Sequence, residues 1–342
     1  MKTAILYKIR DLRVKDVPKP KVLPGQALIK VKAVGICGSD VHYFTHGRIG
    51  NQIVTKPQSL GHEAAGLVVS VGKGVTNVKK GDRVAIEPAI SCGKCEFCLS
   101  HRPNICPNVK FFGTPPIAGA YVEYLVHPAN LLFKLPENMD YIEGALLEPL
   151  TVGMYAVELA ELNPHEEIVI LGMGPIGLSI LKSALYAGVK KIYAVDFIKE
   201  RLKYAVKHPK VTTIDASKEP VKTLMKLTKN RGVDIVFEAA GKPEAVAESV
   251  AMARIGGRCI WVGIPEEDVV SFEPHIARRK ELVIKMVRRT KHQNEKAIEI
   301  VGNGGIILKG MATHFFKLKD IKKGFELVEK YGDGVIKAVV VM

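Results

Sequence analysis

The sequence predicts an α/β chain of two domains. One is β-rich and drawn from both ends of the chain. The other is inserted between them and has a parallel sheet covered by helices on both faces. Three observations predict this. The chain has 342 residues, more than a typical single domain, and its 47% hydrophobic and 25% charged residues are the balance of an ordinary globular protein. Up to about residue 145 it runs in short apolar stretches bounded by Gly and Pro, such as "ALIKVKAVGI", "EAAGLVVSVG" and "DRVAIEPAI", which are strand lengths between turn signals. From about 150 to 285 it alternates strand-like and helix-like segments: "EEIVILGMG", "PIGLSILKSALYAG", "KKIYAVD", and later "VDIVFEAAG" and "RCIWVGIP". Such alternation builds a doubly wound parallel sheet.

The predicted boundaries are 1–148 and 285–342 for the discontinuous domain and 149–284 for the inserted one. The tail "VIKAVVVM" reads as a strand, and a lone terminal strand needs a sheet to join, so it is expected to dock on the first region. The formal net charge is +15. The basic residues are spread along the chain in short clusters such as "ARRK" and "VRRTK". With no recognition motif beside them, they describe a lysine-rich solvated surface, and no nucleic-acid partner is expected. No apolar run is long enough to span a bilayer, so no membrane partner is expected. The opening "MKTAILYKIR" lacks an apolar region followed by a small-residue cleavage site, so a cytoplasmic location is expected.

Gly172, Gly174 and Gly177 form G-x-G-x-x-G, with Pro175 and Ile176 inside the motif. Alone the motif is weak. Here it follows a predicted strand and opens a predicted helix, the context of a Rossmann dinucleotide-binding turn. The first glycine permits the tight turn, the second lets the backbone approach a pyrophosphate, and the third lets helix and strand pack. The helix N-terminus then offers free N–H groups to phosphate. Asp196 ends the next strand. A carboxylate there accepts hydrogen bonds from an adenosine ribose and repels a 2′-phosphate, which favours NAD over NADP. Arg201 is near enough in sequence to alter this, or lies on the helix surface.

"GICGSDVHYFTHGRIG" carries Cys37, Ser39, Asp40, His42 and Tyr43; "LGHEAAGLVVSVGKGV" carries His62 and Glu63; "GALLEPL" carries Glu148. Singly, each has an ordinary reading: a core cysteine, a satisfied buried histidine, a helix-capping glutamate. Together, Cys, His and Glu are ligand types that suit zinc in a tetrahedral site with one open position. An open zinc binds an alcohol oxygen and lowers its pKa, as it does for water. Ser39 and His42 are spaced to pass the released proton outward, His42 changing charge near neutral pH.

"SCGKCEFCLSHRPNIC" places Cys92, Cys95, Cys98 and Cys106 in a C-x2-C-x2-C-x7-C run. Disulfides, an iron–sulfur cluster and a structural metal are the candidates. A reducing cytoplasm disfavours disulfides. Bacterial ferredoxins end their run with a gap of three before Cys-Pro; here the gap is seven, although Pro107 follows Cys106. A closed Cys₄ zinc site is the favoured reading. Cys259, in "RCIWVGI", reads as a core residue.

These stretches resemble the zinc-dependent medium-chain alcohol dehydrogenases, and within them the polyol branch of sorbitol and xylitol dehydrogenases. "GHEAAGLVVSVGKGV" fits the family's GHE-x2-G-x5-G-x2-V signature; "ICGSDVHYFTHGRIG", "EGALLEPLTVG" and "LGMGPIGL" agree in order and spacing. The likeness runs over nearly the whole chain. It implies a GroES-like catalytic domain with a Rossmann domain, two zinc ions per chain, and NAD. It implies that Cys37, His62 and Glu63 bind the catalytic zinc, that Glu148 is an inner ligand or holds the ligating water, and that Asp40 orients His62. It implies a structural zinc on Cys92, Cys95, Cys98 and Cys106. Val262, Gly263 and Ile264 would line the nicotinamide site, with Tyr43 and Arg288 facing the substrate. The active site is expected in the cleft between the domains, and the assembly is expected to be a homodimer or homotetramer.

One departure is informative. Sorbitol-type enzymes carry an aromatic–Arg–Tyr run where this chain reads Val287, Arg288, Arg289. A second cation in place of aromatic residues suits a sugar acid, because arginine pairs bidentately with carboxylate. The expected activity is reversible NAD-linked oxidation of a secondary hydroxyl of a polyol or sugar-derived substrate. The alternatives are an aldonate, a keto-aldonate or L-threonine as substrate, a zinc-free reductase of the same fold, or a non-catalytic NAD- or nucleic-acid-binding protein.

Overall fold

A computed structural model describes residues 1–342. The chain divides into two compact units, Met1–Glu148 with Lys291–Met342, and Pro149–Thr290. No helix is long and apolar enough to cross a membrane.

The first unit is organised around the strand Gln26–Gly35. It pairs antiparallel with Glu63–Val71 on one side and with the terminal strand Lys337–Val341 on the other. The sheet continues through Arg83–Ile86 and Leu132–Lys134 at one end and Ala312–Lys317 at the other. Gly35 faces Glu63 in one register and Val339 in the next. Three distant chain segments therefore converge at one strand end. The helix Gly38–His46 leaves from that end, with Cys37 as its N-cap and Gly47 closing it in the left-handed region at φ 70°. The Gly47 N–H donates to Tyr43 O at 3.0 Å; glycine takes this conformation without the steric cost other residues meet. Phe325 packs edge-on to Phe44 (5.3 Å between centroids) and Tyr121 (5.7 Å), tying the helix to the core beneath the sheet.

The second unit holds six parallel strands in the order Val211–Asp215, Lys191–Asp196, Glu167–Leu171, Val233–Glu238, Ala253–Trp261, Val283–Met286. The two central strands, Glu167–Leu171 and Val233–Glu238, carry near-continuous apolar runs, as parallel strands covered on both faces require; Ile168, Val169, Ile170, Val236 and Phe237 are all fully buried. The unit's first strand, Glu167–Leu171, lies between Lys191–Asp196 and Val233–Glu238. The winding direction reverses there, and such a switch point leaves a crevice at the strand's carboxyl end.

The return to the first unit comes at Lys291, later than the 285 read from sequence. Val283–Met286 is the reason. It pairs parallel with Ala253–Trp261 and so belongs to the second unit. As the edge strand it leaves Val283 and Met286 exposed, so it lacks the apolar run that marks its neighbours.

Candidate functional site

Cys37, His62 and Glu63 come together in the first unit, each offering a ligand atom within 4.8 Å of the others. Their positions follow from the strand ends. Cys37 stands two residues beyond Gly35, and Glu63 is the strand residue paired with Gly35. Gly35 has to be glycine: a Cβ there would overlap Glu63 Oε2 and come within 2.9 Å of Lys337 Cε.

Asp40 organises the approach to His62. It is fully buried, accepts the Cys37 N–H at 3.3 Å and the Gly61 N–H at 3.1 Å, and lies 3.6 Å from His62 Nδ1. Burial pulls the His62 imidazolium down, but Asp40 and Cys37 more than reverse this and hold it well above the ordinary histidine value. The site's field thus favours positive charge. Glu63 Oε2 is buried with no hydrogen-bond partner. An orphaned carboxylate oxygen beside a thiol and an imidazole is what a cation would satisfy, so the donor set fits a zinc ion.

Lys337 supplies a cation that sequence reading missed. Its Nζ donates to Glu63 Oε1 at 2.5 Å and to Ile36 O at 3.0 Å, and both charged side chains are about 1% exposed. Burial pulls its ammonium down, yet Glu63 and Cys37 outweigh that and the net shift is upward, so it stays charged. The available signal was a single charge inside the apolar run "VIKAVVVM", since lysine is almost never fully buried unless paired.

Glu148, on the helix Tyr141–Leu159 just before Pro149, is not in the three-residue group. It is buried, and burial pushes its carboxyl up to about 7. Glu63 and Glu87 add to the rise while His62 and Lys337 oppose it. The sign of the stability effect follows. The folded-state pKa is raised, so stability is fully present below the ordinary glutamate value of 4.5 and is lost as pH rises to about 7. In chelator-treated protein, Glu148→Gln is therefore expected to match the wild type near pH 4.5. It should exceed it by roughly 3 kcal/mol above pH 7. Denaturant midpoints across that range measure this, and a constant difference between the two proteins would count against it.

Ser39 and His42 lie one turn apart on the helix Gly38–His46, both half-buried. Tyr43 is 2% exposed, and its hydroxyl donates to Gln52 Oε1 at 3.3 Å. Arg288 falls in the second unit, just past the strand Val283–Met286, and the following Arg289 has left-handed backbone at φ 56°.

The four remaining cysteines form a second group, again with ligand atoms within 4.8 Å of one another. All are free thiols, with Cys95 and Cys98 sulfurs 3.5 Å apart and Cys92 and Cys98 sulfurs 4.0 Å apart. The backbone N–H groups of Lys94 and Cys95 bring the Cys92 thiol down to about 6. The Cys98 N–H pulls Cys95 the same way, but burial and the neighbouring sulfurs prevail and push it up to about 11. Crowded thiols that suppress one another's ionisation fit a dication, which would let all four ionise.

The glycine turn lies in the second unit, at the switch point. Gly172 has φ 89°, with a Cβ position only 2.8 Å from Ala240 N. A Cβ on Gly177 would run into Gly172 O. Gly174 is the N-cap of the helix Pro175–Tyr186, and Pro175 takes the first helical position, where a missing N–H costs nothing. Asp196 accepts the Met173 N–H and the Ile198 N–H, both at 2.7 Å. Each oxygen keeps a second lone pair for a ligand. Arg201 is buried, 3.8 Å from Asp196 Oδ2, and its Nη1 lies 3.5 Å from the Cβ position of Gly174; it points at the turn and not into solvent. Val262 and Gly263 donate their N–H groups to Glu238 O. Glu238, missed in the sequence, is 1% exposed and its Oε1 accepts the Ala240 and Gly241 N–H groups at 2.8 and 2.7 Å. It fixes the loop facing Gly172.

Residues 23–137 match the alcohol dehydrogenase GroES-like domain, and residues 175–303 match the zinc-binding dehydrogenase domain. The chain is 36% identical to sorbitol dehydrogenase of Bacillus subtilis, covering 99% of this chain and 97% of that one. It is 36% identical to L-idonate 5-dehydrogenase of Vitis vinifera, covering 97% and 92%. Among solved structures it superposes with TM-score 0.91 and 35% identity on an oxidoreductase/dehydrogenase of unknown specificity from Escherichia coli, over 100% of this chain and 99% of that one. With both halves matched and relatives aligned from end to end, the chain belongs to the zinc-dependent medium-chain alcohol dehydrogenases, and within them to the polyol dehydrogenases.

Proposed function

We propose that this protein catalyses the reversible, NAD-linked oxidation of a secondary hydroxyl on a polyol or sugar-derived substrate. The observation that carries the reading is the Cys37–His62–Glu63 group, with its ligand atoms within 4.8 Å and a buried carboxylate oxygen left unpartnered. When bound, zinc polarises the substrate hydroxyl and makes it acidic, and NAD accepts the hydride.

The chain's own residues do the rest. Cys37, His62 and Glu63 hold the metal, with Asp40 fixing the histidine ring. Glu148, buried near Glu63 and His62, completes the metal's surroundings as an inner ligand or one step further out. Ser39 and His42, a turn apart on the helix Gly38–His46, pass the substrate proton outward. Tyr43, through its hydroxyl, and Arg288 contact the substrate. Gly172, Gly174, Pro175, Ile176 and Gly177 seat the pyrophosphate, Asp196 with Arg201 takes the adenosine ribose, and Val262, Gly263 and Ile264 line the nicotinamide. The Asp196 carboxylate favours NAD over NADP. Cys92, Cys95, Cys98 and Cys106 hold a second, structural zinc. The protein works in the cytoplasm as a homodimer or homotetramer, to which the edge strand Val283–Met286 is suited by its free hydrogen-bonding side.

A sugar acid is the second reading. The adjacent Arg288 and Arg289 offer the forked donors that carboxylate recognition uses, and a relative 36% identical is an L-idonate 5-dehydrogenase. One experiment tests both. Sorbitol, xylitol, butanediol, L-threonine and aldonates are assayed with NAD and with NADP, alongside metal analysis of the pure protein. Turnover of a polyol with NAD and two zinc ions per chain is the expected result. Preference for an aldonate selects the second reading, and turnover unaffected by zinc removal overturns both.

A further inference from the structure

Tyr121 contacts the segments that carry the three ligands grouped above, although it is far from each of them in sequence. It is fully buried. Its backbone segment is zipped onto the one leading to His62: the Gly119 N–H donates to Ser59 O, the Ala120 N–H to Gly61 O and the Tyr121 N–H to Leu60 O, at 2.8 to 3.1 Å. Its ring presses on Gly61, where a Cβ would come 2.8 Å from Tyr121 Cε2. Its hydroxyl lies 2.9 Å from Asp40 Oδ2 and 3.0 Å from Gly35 O. Both are acceptors, and a hydroxyl has one proton to give. The charged acceptor makes the stronger bond, so the proton belongs chiefly to Asp40. The phenol therefore holds the carboxylate behind His62, the glycine before His62, and the strand end opposite Glu63.

A ring in this place needs no hydroxyl to fill the core. Phenylalanine would pack equally well against Phe325, the edge-on neighbour at 5.7 Å. The hydroxyl's contribution is directional: it fixes which way Asp40 presents its other oxygen, which accepts the Gly61 N–H and faces His62 Nδ1. We propose that Tyr121 is a positioning residue for the catalytic metal, acting through Asp40 on His62. This rests on the metal site proposed above.

The test uses the full-length, zinc-loaded protein and follows zinc release into excess 4-(2-pyridylazo)resorcinol. Cys37→Ser identifies which release phase belongs to the catalytic ion. Tyr121→Phe, which keeps the ring, is expected to speed that phase by about tenfold, the lower end of what outer hydrogen-bond partners of metal ligands contribute. The Cys₄ ion should leave at its wild-type rate. In an Asp40→Asn background the same substitution should add less than about twofold, because effects passed through one shared partner are not additive. An unchanged catalytic phase, an equal acceleration of both ions, or a full tenfold effect in the Asp40→Asn background each overturns the proposal. If wild-type protein releases only the Cys₄ ion, and Cys37→Ser alters nothing, the metal site itself is wrong and the proposal falls with it.

Discussion

Cys37→Ser is expected to lower kcat/KM by about 1000-fold or more, the several kcal/mol that a Lewis-acid metal contributes to stabilising charge in the transition state. Serine at this position is informative because it spares the fold. Cys37 is the N-cap of the helix Gly38–His46, and serine is among the strongest N-cap residues. The helix should therefore be no less stable, and the Asp40 carboxylate still has the residue 37 N–H to accept. What disappears is the thiolate. A serine hydroxyl stays protonated at neutral pH and is a poor ligand for a borderline-soft ion. NAD affinity should hold within about twofold, because the glycine turn, Asp196 and the Val262–Gly263 loop share no residue with the Cys37 group and independent sites add. Kinetics with a saturating alcohol, NAD titration by nucleotide fluorescence, and zinc content are the three measurements. Full turnover in the variant would remove the metal from the mechanism.

The parts of this protein visible in its sequence are those whose chemistry needs fixed local spacing. Gly172, Gly174 and Gly177 must stand two and three residues apart to make one turn, and the four cysteines must share one lobe to share one ion. Cys37, His62 and Glu63 were legible for the same reason, each lying in a short stretch with its own pattern. Lys337 and Tyr121 were not. Lys337 meets Glu63 across 274 residues of sequence, and Tyr121 meets Asp40 across 81. No periodicity encodes such pairs; Lys337 reaches Glu63 because Gln26–Gly35 is flanked by Glu63–Val71 and Lys337–Val341, and Tyr121 reaches Asp40 because its segment pairs with the one before His62. Glu238 was hidden differently. It ends a buried strand and serves backbone N–H groups, so its place in "VDIVFEAAG" looked like an ordinary strand terminus. The late domain return had a third cause: Val283 and Met286, at the two ends of an edge strand, are exposed, which blurs the boundary between a parallel sheet and the mixed structure after it.

Lys337→Met is expected to destabilise the protein by about 3–5 kcal/mol when the catalytic metal is absent, the usual effect of stripping one partner from a buried ion pair. The methionine fills similar volume, so packing is kept and the loss is electrostatic. Glu63 is left as a buried carboxylate with no cation beside it, and the Ile36 carbonyl loses its Nζ–H donor. Zinc changes the outcome. Lys337 and a metal compete for the same carboxylate, since Nζ occupies Oε1 while Oε2 is the unpartnered oxygen. With lysine gone, all of the Glu63 charge is available to the ion, so zinc should bind the variant more tightly and restore most of the lost stability. The zinc-induced rise in Tm is therefore expected to be larger in Lys337→Met than in wild type, even though the metal-free variant melts lower. Glu63→Gln combined with Lys337→Met should recover metal-free stability, because a neutral pair needs no cation, and should lose the zinc response. If the single variant instead loses the same stability with and without zinc, lysine and metal act on Glu63 independently, and Lys337 is an ordinary buried ion-pair partner with no part in tuning the metal site.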